Sequence, residues 1–345
     1  SLIAIRNIYY MLSYAFRVLR EQGYQEMETE EFENGQELCA AILIRGISMQ
    51  IRRGLGRDYL PVTETRSTLR GRIMLSESVR SGAIFRRQLV CMDDEFSLDT
   101  PMNRILKSVM ELLLHSGISQ KRKKALRKLL VYFRDVSLVD LHRVNWNLQY
   151  HRNNQTYRML MFLCRLVTEG LLQSPQNGAR RMAHFLDDQQ MYQLYERFIR
   201  EYYRQEFPQI TVSAPQILWQ LDDPCRDFLP AMQADVMLQY EKKILIIDAK
   251  YYKRILREHY GKQTLYSSNL YQIFTYVKNK EAQLAGQGYQ VSGLLLYAGT
   301  EEEEKPQADY HMSGNRIGVR TLDLGGDFED IRGALDWIAE EYLGV

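Results

Sequence analysis

Hydrophobic residues recur every three or four positions in several stretches of the chain, which is the spacing of an amphipathic helix. In the first stretch they occupy Ile5, Ile8, Tyr9, Leu12, Ala15, Phe16 and Leu19. The same pattern, with glycine breaks and a proline at one helix start, predicts further helices in this half of the chain. Their ranges are 36–52, 101–116, 119–133 and 156–173.

Residues 57–95 have a different pattern, with short alternating runs, β-branched residues and glycine, which predicts a small β-rich element. The element is locally basic. Its arginines are Arg57, Arg66, Arg70, Arg72, Arg80, Arg86 and Arg87. Guanidinium groups at this density suit contacts with phosphates or with an acidic partner. A solvated surface on a small β module explains them equally well.

The C-terminal half alternates between helical and strand patterns. A predicted helix at 189–206 precedes three strands, and a second helix lies between the third and fourth strands. The strands are 216–220, 232–240, 244–251, 291–298 and 316–324, and the later helices are 266–282 and 327–343. This order predicts an α/β fold with a mixed sheet flanked by helices. We place a mainly helical N-terminal domain at 1–155, including the β-rich element, and the α/β domain at 156–345.

Composition excludes several classes of protein. At 345 residues the chain can hold two domains, and its formal charge of +2 gives no overall sign of nucleic-acid binding. The one dense basic run, 121–128, is better explained as a solvated helix face than as a phosphate-binding ridge. The sequence contains no P-loop, so we expect any nucleotide hydrolysis to come from another chain.

The four cysteines lie far apart and the six histidines form no HxxxH pair, so zinc is not expected and the thiols should be reduced. No apolar stretch approaches the roughly 18 residues that a membrane span needs. The first residues are too interrupted by polar side chains for a signal peptide. We therefore expect a soluble cytoplasmic protein.

The segment "ILIIDAKYYK", 244–253, combines a buried-strand pattern with an acid and a lysine. If Glu241 and Lys242 form a two-residue turn, Asp235 on the preceding strand lies directly opposite Asp248, about 4.5–5.5 Å away between β-carbons. Lys250 then projects from the same face as Asp248. Like charges this close destabilise a sheet. A divalent cation such as Mg²⁺, bound by both carboxylates, would remove this repulsion.

A structural Asp–Lys ion pair, with the other aspartate solvated, is the competing interpretation. A register slip of one residue would move Asp235 to the other face. Glu196, on the helix before the sheet, can add a metal ligand or hold a water, although a lone helical glutamate is more often solvated. Gln272 and Tyr276 share one face of the later helix and can contact DNA backbone or orient Lys250, unless they only border the core.

The order Glu196, Asp235, Asp248–Ala249–Lys250 and Gln272–Tyr276 resembles the PD-(D/E)XK nuclease superfamily. The proline usual in that motif is absent, because Ala234 stands before Asp235. "IRNIYYMLSYAF" at 5–16, "LRGRI" at 69–73 and "NRILKSVMELLL" at 103–114, with the two segments around the motif, resemble the McrC family. That family supplies the nuclease subunits of modification-dependent restriction systems, and the likeness extends over nearly the whole chain.

The resemblance implies that this chain cuts double-stranded DNA, modified by cytosine methylation, when it is assembled with an McrB-like AAA+ GTPase ring. The partner would bind GTP, and the N-terminal part of this chain would stimulate its hydrolysis, with Arg70 and Arg72 as candidates. Mg²⁺, or Mn²⁺ in its place, would be held by Asp235, Asp248 and the backbone carbonyl of Ala249. Lys250 would be the catalytic lysine, and Glu196 an auxiliary acid acting through water.

Two other functions are compatible with these residues. The first is a non-catalytic adaptor or regulator of the ring GTPase, with a degenerate nuclease site. The presence of Asp235, Asp248 and Lys250 together argues against degeneracy. The second is an RNA nuclease or a nickase that acts alone, which the chemistry of the site permits.

Overall fold

The computed structural model consists of two compact units. One is formed by residues 36–181, and the other by residues 1–35 together with 182–345. We call them the middle unit and the terminal unit. The structure describes residues 4–20, 24, 32–152, 154–172, 188–251, 256–259, 262–299 and 305–345.

The described residues contain nine α-helices, numbered in chain order. They are α1 (Ile5–Ala15), α2 (Gly35–Arg53), α3 (Leu75–Arg80), α4 (Pro101–Leu114), α5 (Gln120–Leu130), α6 (Tyr157–Leu172), α7 (Asp188–Glu206), α8 (Ser267–Gln283) and α9 (Phe328–Leu343). All the predicted helices are confirmed to within a few residues. The short helix α3 was not predicted.

Thirteen strands are found in the same described residues. They are β1 (Asp58–Arg66), β2 (Arg72–Ile73), β3 (Leu89–Ser97), β4 (Thr211–Ser213), β5 (Gln216–Ile217), β6 (Met232–Gln233), β7 (Val236–Tyr240), β8 (Lys243–Tyr251), β9 (Leu256–His259), β10 (Lys262–Leu265), β11 (Gln290–Gly299), β12 (Ala308–Met312) and β13 (Asn315–Asp323).

In the middle unit, β1, β3 and β2 form a three-stranded antiparallel sheet, which confirms the β-rich element predicted at 57–95. Gly71 permits the close approach of β2 to β3. It has a positive φ of 67°, and a β-carbon there would lie 2.3 Å from the Met92 carbonyl oxygen. Helix α4 follows β3 along the chain, and its N-cap is Thr100, whose hydroxyl accepts a hydrogen bond from the backbone amide of Asn103.

The terminal unit is built on a six-stranded mixed sheet in the order β12-β13-β11-β8-β7-β4. Strands β8, β11 and β13 are parallel to one another, and the other pairs are antiparallel. The mixed sheet flanked by helices that the sequence predicts is therefore present.

Both faces of β8 are buried, which explains why the strand is apolar without alternation. Ile244 and Ile246 pack with Ile273 and Val277 of α8 in one core cluster. Gly293 on the neighbouring strand allows this close packing, because a β-carbon there would lie 2.8 Å from both α8 side chains. Helix α8 is thereby held close against the strand that carries Asp248.

The first helix belongs to the terminal unit, so the compact units differ from the predicted division at residue 155. Buried Asn7 donates hydrogen bonds of 2.8 Å to the carbonyls of Leu324 and Gly326. The Tyr14 hydroxyl donates to Glu206 over 2.7 Å. These contacts join residues about 190 to 320 positions apart, and a local hydrophobic pattern carries no information about them. The partner-engaging role given to residues 1–155 stays a prediction.

Two of the predicted strands are shorter than expected. The prediction at 216–220 becomes the two-residue β5, and the one at 232–240 is divided into β6 and β7 by Ala234 and Asp235. β5 pairs with β6 outside the main sheet. Because of the break, Asp235 lies just outside the β7–β8 ladder, directly before Val236.

The four cysteines are free thiols, three of them buried and Cys225 exposed. No helix among the described residues combines the length and the apolar character that crossing a bilayer requires.

Asp99 in the middle unit accepts hydrogen bonds from the Arg104 guanidinium at 2.8 and 2.9 Å and from the Ser137 amide at 2.7 Å. The Arg104 contact is the main cause that lowers the pKa of Asp99 to about 2. Because the folded pKa lies below the ordinary value, the stabilisation is complete above about pH 4 and is lost as the pH falls toward the folded pKa.

We therefore expect Asp99→Asn to lower the free energy of unfolding by about 2 kcal/mol at neutral pH. The difference from wild type should shrink below about pH 4, where Asp99 of the unfolded wild-type chain takes up its proton while the folded chain does so only nearer pH 2. Urea denaturation at a series of pH values measures both. Asp94→Asn, at an exposed position on β3, is the control and should change little. If both variants lost the same free energy of unfolding at every pH, the Asp99 carboxylate would not be the source of the stabilisation.

Candidate active site

The candidate site lies at the open end of the β7–β8 hairpin, away from the turn at Glu241 and Lys242. The pairs run from Tyr240–Lys243 to Val236–Ile247, so the predicted register is confirmed. Asp235 directly precedes the last pair, and its Oδ2 accepts a hydrogen bond of 2.9 Å from the Ala249 amide. The register thus places Asp235 beside Asp248, as the sequence predicts.

Asp248 is buried, with 2% of its surface exposed. Burial is the main cause that raises the pKa of its carboxyl to about 7; the charge of Asp235 also raises it, and Lys250 opposes the shift. Lys250 Nζ lies 2.9 Å from Asp248 Oδ2. The two groups form a buried ion pair, and apart from the lysine no donor among the described residues contacts Oδ2. A buried carboxylate oxygen in this state can still accept a donor or a cation.

Lys250 is positioned by α8. Its Nζ donates to Gln272 Oε1 over 3.0 Å, and Gln272 Nε2 donates to the Tyr276 hydroxyl over 3.0 Å. The three side chains and Asp248 therefore form one continuous chain of polar contacts. The structure brings Gln272 and Tyr276 to the site, in the arrangement expected if they orient the lysine.

Glu196 reaches the site from α7. Its carboxylate pairs with Arg200 over 3.0 Å, one turn further along the helix. The pKa of Glu196 is raised, first by burial and then by the nearby charge of Asp235. Glu196 therefore lies within electrostatic reach of Asp235, but it is already held by an arginine.

Tyr192 is a site residue that sequence reasoning missed. Its hydroxyl donates to Asp235 Oδ1 over 3.0 Å, so both oxygens of that carboxylate are occupied by donors from the protein. Burial, followed by the charge of Asp235, raises the pKa of Tyr192 above its ordinary value. The available signal was its position one turn before Glu196 on the same helix face.

The donor set suits a hard divalent cation. No three His, Cys, Asp or Glu side chains in the described part of the chain converge as a ready ligand group. Mg²⁺, however, is usually bound by only one or two carboxylates, with water and substrate phosphate completing its coordination. Asp235 and Asp248 supply two carboxylates, and Lys250 is the one group that contacts Asp248 Oδ2 among the described residues. The residues fit such an ion, while ligation by Glu196 and by the Ala249 carbonyl stays a prediction.

Arg70 and Arg72 lie in the middle unit. Arg70 Nε is 2.6 Å from Asp93 Oδ2, and more than two-thirds of the arginine side chain is exposed. Arg72 begins β2, opposite Met92, and is exposed. Both arginines are accessible on the surface of the β-rich element.

Comparison with known proteins identifies relatives along most of the chain. The family model for the McrBC 5-methylcytosine restriction system component matches residues 5–298. The type IV methyl-directed restriction enzyme EcoKMcrBC of Escherichia coli (strain K12) is 30% identical over 353 residues, spanning 99% of this chain and 98% of the relative.

Two solved structures from Thermococcus gammatolerans also match. The first is a half-complex of McrB AAA+ hexamers with bound McrC, at 18% identity and a TM-score of 0.45, covering 95% of this chain and 76% of the other. The second is the McrBC complex, at 20% identity and a TM-score of 0.39, covering 58% of each chain.

The burial of the Asp248–Lys250 pair leads to a prediction about stability. Lys250→Met should destabilise the protein by about 3 kcal/mol, because it removes one partner of a buried ion pair. Adding Asp248→Asn should recover part of the loss, since the buried carboxyl left without its lysine is then replaced by a neutral amide. Chemical denaturation of both single variants and the double variant measures this coupling. Strictly additive losses would show that the two side chains do not interact energetically.

Proposed function

The chain belongs to the McrBC 5-methylcytosine restriction system component family, and from this we propose that it is the DNA-cutting subunit of such a system. The terminal unit would be an endodeoxyribonuclease of the PD-(D/E)XK type. The observation that carries the proposal is the convergence of Asp235, Asp248 and Lys250 at the end of one hairpin. An ion pair with a purely structural role would not need the second carboxylate.

We propose that Asp235, Asp248 and the Ala249 carbonyl hold Mg²⁺, or Mn²⁺ in its place, with Glu196 acting through water. When bound, the ion would supply a Lewis acid for the scissile phosphate and lower the pKa of a water. The Tyr192 hydroxyl and the Ala249 amide each donate a hydrogen bond to one oxygen of the Asp235 carboxylate, which fixes its orientation. The Lys250 ammonium, oriented by Gln272 and Tyr276, would stabilise negative charge on the phosphate.

The assembly is also part of the proposal. The family is described as a component of a 5-methylcytosine restriction system, and the E. coli relative is a methyl-directed restriction enzyme. We propose that this chain acts on double-stranded DNA containing methylated cytosine, together with an McrB-like AAA+ GTPase. The partner would bind the GTP, since this sequence has no P-loop. The exposed Arg70 and Arg72 are candidates for stimulating its hydrolysis.

Cleavage of long methylated DNA with Mg²⁺, GTP and the partner GTPase tests the site. Asp248→Asn keeps the shape of the side chain but removes its charge, so we expect at least about a 10²-fold loss of cutting. GTP hydrolysis by the complex should continue. Asp222→Asn, on an exposed loop of the same unit, is the matched control and should cut normally.

Normal cutting by Asp248→Asn would show that residues 235–250 are not the active site. If wild type stimulates GTP hydrolysis but cuts no DNA, the adaptor function replaces the nuclease. Cutting by wild type without the partner would keep the nuclease and remove the obligatory GTPase.

Tyr192→Phe removes one of the two hydrogen bonds that hold Asp235. A hydrogen bond to a charged group is worth about 1.5–3 kcal/mol, so we expect roughly a tenfold or greater fall in the cleavage rate. The Mg²⁺ concentration at half-maximal rate should rise, because the carboxylate is less well oriented for binding. Tyr271→Phe on the exposed face of α8 is the control. A reduced rate with unchanged Mg²⁺ dependence would argue against a role through Asp235.

A further inference from the structure

Helix α5 in the middle unit has one face that consists of lysines. Lys121, Lys124 and Lys128 are exposed and lie within about 60° of one another around the helix, which we call the basic face. The opposite side contains Leu126, which is completely buried. The helix is thus anchored by its apolar side, and the three ammonium groups project to solvent.

The basic face has no counter-charges of its own. From Leu112 to Arg134 the sequence contains seven lysines and arginines and no acidic residue. Arg122, toward the buried side, pairs with Glu37 over 3.4 Å. Within the described ranges, no carboxylate lies in ion-pair distance of Lys121, Lys124 or Lys128.

This arrangement destabilises the helix that carries it. Lys121 and Lys124 are three residues apart, and Lys124 and Lys128 four apart, so like charges face each other along the surface. Lys121 also lies in the first turn, where the helix dipole disfavours cations and no acidic side chain is present. A helix face selected only for solubility would mix the two signs of charge and avoid this repulsion.

The sequence alone favours a solvated helix face for residues 121–128, but the exposed lysines without a carboxylate partner lead us to propose that the basic face binds the phosphate backbone of duplex DNA. This deepens the proposed function and rests on it, because it gives the DNA a contact on the middle unit in addition to the cutting site. Lys121 and Lys128 are about 10 Å apart along the helix axis, and a DNA strand carries one phosphate per roughly 3.4 Å of axis. Lysines act as point charges toward phosphates, so the contact is independent of sequence and of methylation.

The test compares the full chain with the variant Lys121→Gln/Lys124→Gln/Lys128→Gln. Binding to a fluorescent 30-base-pair duplex is measured by anisotropy over a range of NaCl concentrations, with EDTA present to prevent cutting. We expect affinity at low salt to fall at least tenfold, equally for methylated and unmethylated duplexes. The slope of log affinity against log salt should decrease by up to about 2.7, at roughly 0.9 for each phosphate contact.

Two control variants separate charge from side-chain identity and from net charge. Arginine at all three positions keeps the charge and should keep the affinity. Glutamine at Lys242, Lys243 and Lys280, in the terminal unit, removes the same charge elsewhere and should have a much smaller effect. The basic-face variant should also melt at the wild-type temperature or above it, since removing like-charge repulsion stabilises α5.

An unchanged affinity and salt slope, or losses equal to those of the terminal-unit control, would overturn the proposal. No measurable binding of the wild-type chain to the duplex would overturn it as well. A loss of binding to the AAA+ partner with normal DNA binding would assign the face to protein contacts instead. The nuclease proposal is judged by cutting and the basic face by binding in EDTA, so a failure of either is seen separately.

Discussion

The burial of one carboxylate, that of Asp248, is the constraint on which the architecture of the terminal unit depends. An ionised acid with 2% exposure is costly unless its surroundings compensate it. Lys250, two residues along the strand, supplies the opposite charge at 2.9 Å. Burial raises the pKa of the Asp248 carboxyl more than the Lys250 ammonium lowers it. The cation proposed for this site would add a second positive charge beside the carboxylate.

The elements around β8 hold this unfavourable group in place. Helix α8 packs closely on the strand because Gly293 has no side chain, and Gln272 on that helix receives the lysine ammonium. Helix α7 contributes Tyr192, which reaches the other aspartate. Because of the break between β6 and β7, Asp235 lies outside the ladder, and its carboxylate accepts a hydrogen bond from the Ala249 backbone amide. Two helices and a strand break thus orient three charged groups.

Charge is used differently in the two units. In the terminal unit the charged groups of the site are buried, few and held by specific partners. In the middle unit the arginines of the β-rich element and the lysines of α5 are largely exposed, and those of α5 repel one another. The first arrangement suits chemistry at a defined atom. The second suits a partner with many charges, for which precise geometry matters less than the number of contacts.

Local patterns in the sequence predicted every described helix except α3, the mixed α/β character of the terminal unit and the register of the β7–β8 hairpin. These follow from local periodicity and from a two-residue turn, so short-range information is sufficient. Asp235, Asp248 and Lys250 could be grouped for the same reason, and Gln272 and Tyr276 by their spacing on one helix face. Family resemblance added the expected role of each residue, which spacing alone left open between a metal site and an ion pair.

Only the tertiary structure decided the contacts between distant segments. It joined α1 to the terminal unit through Asn7 and Tyr14, it divided the strand predicted at 232–240, and it showed that Tyr192 holds Asp235. It also showed that Glu196 is paired with Arg200. Each of these depends on side chains that meet only after the chain has packed. Hydrophobic patterns report which residues are buried, but not which distant residues they are buried against.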